Sequence, residues 1–67
     1  MTGRKLLRIL AKAGCVEVRK GKGSHVLVRC GTCPDVTVPV HRGEDLATGT
    51  LAAIRKQVGP CLPPGTL

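Results

Sequence analysis

Two histidines are the residues of this sequence best suited to acid–base chemistry near neutral pH. His25 stands at the start of an apolar segment, residues 25–29, and His41 follows a second one, residues 36–40. An imidazole has an ordinary pKa of about 6.5, so it can take up or release a proton at physiological pH. A lone histidine at the start of a strand is more often structural or solvated, so its position alone does not make His25 catalytic.

Four cysteines form the second group with chemical potential. Cys30 and Cys33 flank a two-residue spacer, Cys15 precedes them, and Cys61 lies near the C-terminal end. This spacing is typical of zinc-binding turns, so a structural zinc with four thiolate ligands is one interpretation. Such a metal would have no open position for water and would not be catalytic. Four free thiols and two disulfides are the alternatives, and the lack of a visible export signal disfavours disulfides.

Charge and composition restrict the partners of the chain. Its 67 residues carry eleven Lys and Arg against four Asp and Glu, a net charge of +7, and no Phe, Tyr or Trp. The charge favours RNA, DNA or an acidic protein as the partner, with a merely solvated basic surface as the alternative. Stacking of unpaired bases on aromatic rings is unavailable, which leaves phosphate contacts and shape. With no run of roughly 20 apolar residues and no signal peptide, we expect a cytoplasmic protein without a membrane partner.

The helices that must position these residues are predicted from hydrophobic spacing. Over residues 4–13 the apolar positions recur at i, i+3, i+4 and i+7, which predicts a helix. Thr2 is its predicted N-cap, and Gly14 is predicted to end it. A second helix is predicted to begin near Thr48 and to end at Gly59.

Three strands are predicted between these helices. Residues 15–20 alternate as in a half-buried strand, and 25–29 and 36–40 form two more, joined by short turns into an antiparallel meander. Neither helix can bury its apolar stripe elsewhere, so both are predicted to cover the valine face of the sheet. The sequence thus predicts one α+β domain (1–67) of order α-β-β-β-α, as in double-stranded-RNA-binding domains. Its core spans about residues 3–59, and the Pro-rich tail 60–67 is predicted to continue no element.

Strand parity and turn length predict where the chemical groups meet. Because Val26 and Val28 face the core, His25 should lie on the open face of the sheet, and the turn length places it opposite Val40 or His41. Both imidazoles would then lie at one end of the sheet. The same topology brings the four cysteines together at the other end.

Three segments of the chain, in this order, resemble the HicA mRNA-interferase toxins of bacterial toxin–antitoxin systems. They are residues 21–25 (Gly-Lys-Gly-Ser-His), 36–41 (Val-Thr-Val-Pro-Val-His) and 49–54 (Gly-Thr-Leu-Ala-Ala-Ile). The first-helix pattern from Gly3 to Leu10 fits as well, so the resemblance spans about residues 3–59. The chain departs from the family where Cys15 replaces an aromatic residue that members often carry, and where Val26 replaces a second histidine that many carry.

The resemblance implies an endoribonuclease that needs no metal or small-molecule cofactor and that a HicB-type acidic antitoxin holds inactive. The catalytic histidine of the family follows Gly-Ser, which maps onto His25 as the general base. The implied reaction on mRNA is attack of a 2′-hydroxyl on its own 3′ phosphate. For the acid that protonates the leaving 5′ oxygen, His41 or a water is our hypothesis, with an ordinary strand-end role for His41 as the alternative.

Basic residues along the first helix and around the strands are the candidates for binding RNA phosphates. They are Lys5, Arg8, Lys12, Lys20, Lys22 and Arg29. Two other functions fit the same residues. The first is a non-catalytic RNA-binding module of this fold, in which His25 is only a contact residue. The second is a zinc-stapled protein-interaction domain whose charge serves an acidic partner.

Overall fold

The computed structural model describes residues 1–21 and 23–67, which form two helices and one three-stranded sheet. The elements are α1 (Gly3–Lys12), β1 (Val16–Lys20), β2 (His25–Arg29), β3 (Val36–Pro39) and α2 (Thr48–Val58), followed by a 3-10 helix (Gly59–Cys61). The strands are antiparallel in the order β1-β2-β3, so the predicted α+β fold class is confirmed. The 3-10 helix differs from the prediction that the tail continues no element. In the described part of the chain, no helix is long and apolar enough to cross a membrane.

Helix α1 is closed at both ends by hydrogen bonds. The backbone N–H of Lys5 donates to Thr2 Oγ1 at 3.1 Å, so the predicted N-cap is confirmed. At the other end, Gly14 has a φ of 98°, and the N–H of Cys15 donates to the carbonyl of Leu10 at 2.9 Å. This is a Schellman ending, whose left-handed residue favours glycine. It turns the chain directly into β1.

The core lies between the two helices and one face of the sheet. Both helices pack against β3. Along β2, Val26 and Val28 are buried while His25 and Arg29 are exposed, which is the predicted alternation. The buried hydrophobic residues are Leu6, Leu10, Cys15, Val26, Val28, Cys30, Val36, Val38, Ile54 and Val58. Because all of them are aliphatic or cysteine, the core is small and depends on close packing of branched side chains.

Strand β1 differs from the prediction of a half-buried strand. All five of its residues are exposed, and Val16 is 57% exposed. The helices pack against β3, and β1 lies at the opposite edge of the sheet. Its pairing with β2 also shifts between Glu17 and Arg19, and such a bulge breaks the alternation of faces. Strand β1 therefore contributes its backbone to the sheet and leaves its side chains in solvent.

The register of β2 against β3 also differs from the prediction. His25 pairs with Pro39, rather than with residue 40 or 41. Continued by one residue, this register sets Asp35 opposite Arg29 across the strand pair. The guanidinium Nε and Nη2 of Arg29 donate to the two carboxylate oxygens of Asp35 at 2.9 and 3.0 Å. These hydrogen bonds and the attraction between the charges lower the pKa of Asp35 and raise that of Arg29.

Helix α1 lies directly against the backbone of β3 at Gly3. A Cβ atom at this position would overlap the carbonyl oxygen of Pro39, the residue that pairs with His25. Gly3 is buried, and the atoms that this Cβ would meet are backbone atoms rather than the end of a flexible side chain. The missing side chain therefore sets the distance between α1 and the end of the sheet that carries His25.

We predict that Gly3→Ala lowers the free energy of unfolding by about 1–3 kcal/mol, because the added methyl group overfills a closed contact. The matched control is Gly49→Ala in α2, where a Cβ would meet nothing within 4 Å. There the change should be neutral or stabilising by up to about 1 kcal/mol, since alanine favours the helix. Denaturant unfolding of both variants measures the difference, and equal stabilities would contradict the contact.

We predict that the pKa of Asp35 in the folded chain lies below its ordinary value of about 3.9, and that Arg29→Gln returns it towards that value. Because the folded pKa is lowered, the ion pair stabilises the fold above the unfolded pKa, and this contribution is lost as the pH falls through the folded pKa. Asp35→Asn should therefore lower Tm slightly at pH 7 and not at all once the wild-type carboxyl is protonated. The effect is small because both groups are accessible to water. NMR titration of the carboxyl gives the pKa, and a value at or above the ordinary one refutes the prediction.

Candidate active site

The two histidines lie together at one end of the sheet. Their ring centroids are 6.1 Å apart and their planes are nearly perpendicular, at 82°. His25 opens β2 on the face away from the core. The N–H of Val40 donates to the carbonyl of Ser24, which extends the strand pairing past Pro39. By the alternation of side chains, His41 then returns to the face of His25. The expected proximity of the imidazoles is observed, although the register that produces it was not the predicted one.

One side of the histidine pair is a cleft of about 260 Å³ with acidic residues. His25 and His41 line it together with Glu44 and Asp45 from the loop between β3 and α2. Backbone contacts hold this loop in place. The N–H of Glu44 donates to the carbonyl of His41 at 3.1 Å, and Asp45 forms an isolated antiparallel bridge with Thr2. The N-terminal ammonium lies 3.4 Å from Asp45 Oδ1 and offsets its charge, so Glu44 is the carboxylate that makes this side a poor place for a phosphate.

The other side of His25 is a larger cleft of about 400 Å³ between α1 and β1. Arg4 from α1 and Lys20 from β1 line it with His25, and we call this surface the basic cleft. Glu17 also lines it. Along α1 the basic cleft continues into a shallower depression that Arg4 shares with Arg8. His25 thus stands at the boundary between a cleft with carboxylates and a cleft with cations.

The residues predicted to bind phosphate are spread over the molecule. Lys20 lines the basic cleft, Arg8 lies in its extension, and Lys5 is exposed on α1. Lys12 lies in the last turn of α1, beside the C-terminal tail. Arg29 lies at the far end of β2 from His25 and is engaged by Asp35. Lys22 lies outside the described residues.

Arg4 lines the basic cleft but is not among the residues predicted to bind phosphate. The prediction placed the basic stripe of α1 on Lys5, Arg8 and Lys12. Arg4 lies four residues before Arg8, and this spacing puts two side chains on one helix face. That signal was present in the sequence. Which face of α1 borders the strands, however, depends on how the helix packs, and the sequence pattern alone left this open.

The four cysteines lie at the opposite end of the sheet from the histidines and form two disulfides. Cys15 is bonded to Cys30, and Cys33 to Cys61. Of the three alternatives that the sequence leaves open, this structure holds the disulfides. A sulfur in a disulfide carries no thiolate charge for a metal ion. Among the residues that the structure describes, no group of three or more potential ligands could hold a metal ion. Zinc on these four cysteines therefore stays a prediction, and it concerns only the reduced chain.

A family model relates this sequence to known proteins. The family is described as "HicA toxin of bacterial toxin-antitoxin", and its model matches residues 3–59. No curated protein and no solved structure matches the chain. The matched range runs from the start of α1 to just beyond α2, and it contains both histidines and the basic cleft. A toxin of such a system has an antitoxin as its partner. Because the match covers most of its length, the chain belongs to the HicA family of toxins from bacterial toxin–antitoxin systems.

Proposed function

We propose that this HicA-family toxin is an endoribonuclease that cleaves mRNA without a metal ion, with His25 as the general base. HicA toxins in general cleave mRNA. The observation that carries the proposal is the position of His25, an exposed imidazole next to a second imidazole and at the edge of the basic cleft. Acid–base groups and phosphate-binding cations are the two things that this cleavage requires of a protein.

The proposed reaction uses the 2′-hydroxyl of the RNA as its nucleophile. His25 takes the proton of this hydroxyl while its oxygen attacks the adjacent phosphorus and the bond from phosphorus to the 5′ oxygen breaks. His41 or a water returns a proton to the leaving oxygen. The products are a 2′,3′-cyclic phosphate and a free 5′-hydroxyl. The ring centroids are 6.1 Å apart, which supports this assignment because both imidazoles can then reach oxygens bonded to one phosphorus.

The basic cleft is the proposed path of the RNA backbone. Arg4 and Lys20 contribute two cations beside His25, and Arg8 extends the charge along α1. Arg4 and Lys5 also occupy the first turn of α1, which contains no acidic residue. Cations at a helix N-terminus oppose the helix dipole and cost stability. A role in binding an anion accounts for them better than a role in the stability of the helix.

The proposed inhibitor is a HicB-type antitoxin with an acidic surface. The chain carries a net charge of +7, and two of its cations border His25. A protein that places carboxylates in the basic cleft would neutralise the phosphate path and cover the imidazole with the same contacts.

We predict that the purified toxin cleaves single-stranded RNA in EDTA and leaves cyclic-phosphate ends. His25→Ala should cut about 100- to 10,000-fold more slowly, which is the usual contribution of a general base. DNA of the same sequence should bind but stay intact, because it lacks the attacking hydroxyl. Denaturing gels with end-group analysis measure both results.

The control for this prediction is His41→Ala, with circular dichroism on every variant to show that it is folded. His41→Ala should lose less activity than His25→Ala, since a water can protonate the leaving oxygen. Equal cleavage by the wild type and His25→Ala would refute the role of His25. RNA binding without any cleavage by the folded wild type would instead establish a non-catalytic RNA-binding module.

We predict that Arg4→Gln and Lys20→Gln each weaken RNA binding and lower the slope of log affinity against log salt by about 0.7, the value for one phosphate contact on a single strand. Lys56→Gln is the matched control, because it removes the same charge from the last turn of α2, and Lys56 does not line the basic cleft. Fluorescence anisotropy with the inactive His25→Ala background gives the slopes. A loss with Lys56→Gln as large as with Arg4→Gln would show that net charge alone governs binding.

A further inference from the structure

The two disulfides lie side by side around one turn. Cys30 and Cys33 are on the turn between β2 and β3, and the N–H of Cys33 donates to the carbonyl of Cys30 at 3.1 Å. Gly31, between them, lies against the partner of Cys33, because a Cβ on this glycine would be 3.7 Å from the sulfur of Cys61. Both disulfides therefore involve this one turn of the chain.

Backbone pairing and helix packing also act to bring these cysteines together. The β1–β2 ladder pairs Val16 with Arg29, and the next pair in the same register is Cys15 with Cys30. The Cα atoms of this pair are 4.3 Å apart. Helix α2 packs on β3 and returns the chain to the turn, where Cys61 lies with its Cα 6.2 Å from that of Cys33. Strand pairing and the packing of α2 thus hold the cysteines near this turn in addition to the bonds between them.

We propose that this end of the sheet is an exchangeable site, which holds two disulfides in the oxidised chain and one Zn²⁺ ion on four thiolates in the reduced chain. Two equivalents of a dithiol reductant would supply the four electrons and four protons that cleave both S–S bonds. Zn²⁺ then replaces the four thiol protons. Four thiolates around one metal, two of them spaced as C-x2-C, form a typical structural zinc site.

The surroundings of the cysteines fit this metal. Cys30 is 1% exposed and Cys15 is 8% exposed, so half of the ligand set is shielded from water. Cys33 and Cys61 are half-buried and leave a way in for the ion. The site would be closed and structural, at the end of β2 roughly 17 Å from His25 at about 3.3 Å per residue. Both the disulfides and the zinc site would join the ends of the two helices to the sheet. The small core would therefore be cross-linked in oxidising and in reducing surroundings.

The test is metal binding by the full chain, reduced with a phosphine, desalted without oxygen and titrated with Co²⁺ and then with Zn²⁺. We expect one Co²⁺ per chain with the visible absorption bands of a tetrahedral thiolate site, and loss of these bands when Zn²⁺ displaces it. The oxidised chain should show no such bands. Native mass spectrometry should find one zinc per monomer.

Two variants sharpen this test. Changes outside the ligand set already cost about 10- to 100-fold in metal affinity, so Cys33→Ser should weaken Zn²⁺ binding by more than about 100-fold. Thr32→Ser, on the same turn, should bind as the wild type does. The proposal is overturned if the reduced wild type gives no thiolate bands, if Cys33→Ser binds as tightly as Thr32→Ser, or if one zinc joins two chains. Circular dichroism shows whether the reduced chain is already folded without zinc or folds only when zinc binds. Both results support the proposal.

Discussion

The pairing of β2 with β3 is the constraint on which the rest of this small domain depends. It sets Val26 against Val38, and both valines lie in the core, at most 8% exposed. The alternation of a strand then forces His25 outward, and the continued pairing brings His41 beside it. A slip of one residue would exchange the faces, exposing a valine and burying an imidazole. Burial of the valines therefore selects the register, and the register in turn places the two groups suited to acid–base chemistry.

One end of the sheet carries the disulfides, which stabilise the fold, and the other end carries the two histidines. The core contains no aromatic residue, and a domain of this size buries little surface, so other contacts must support the fold. At the end away from the histidines, Cys15 follows α1 and Cys61 follows α2, and both are joined to the turn between β2 and β3. The linked cysteines are 15 and 28 residues apart. Restricting loops of such lengths in the unfolded chain is worth about 3 kcal/mol or somewhat more for each. The end that carries the histidines is thereby left open to a ligand.

The local features of the fold could be predicted from the sequence, and the features that depend on packing could not. The apolar spacing of α1 and the alternation of β2 are encoded within single elements, and the observed bounds lie within one or two residues of the predicted ones. The exposure of β1 depends on how far the helices extend across the sheet, which no strand pattern contains. Aspartate is a residue type common in turns, yet the hydrogen bonds that Asp35 accepts from Arg29 make it part of the strand pairing. Arg4 lines the same cleft as His25 because α1 packs against β3 at Gly3, and this packing contact is not encoded in the pattern of the helix. The four cysteines converge by topology, but their oxidation state depends on the surroundings of the protein.

The absence of aromatic rings has a consequence for recognition in the proposed function. Without stacking on unpaired bases, affinity for RNA must come from phosphates, and among the described residues Arg4 and Lys20 border His25 on the side of the basic cleft. On the other side, Glu44 disfavours a phosphate, while the charge of Asp45 is offset by the N-terminal ammonium. Under the proposed function, the backbone of the RNA should therefore enter from α1 and β1 and end its contact at the histidines. The same asymmetry determines how the toxin can be inhibited. Under the proposed function, an acidic antitoxin that bound Arg4 and Lys20 would occupy the positions of the substrate phosphates, so inhibition and substrate binding would compete for the same two cations.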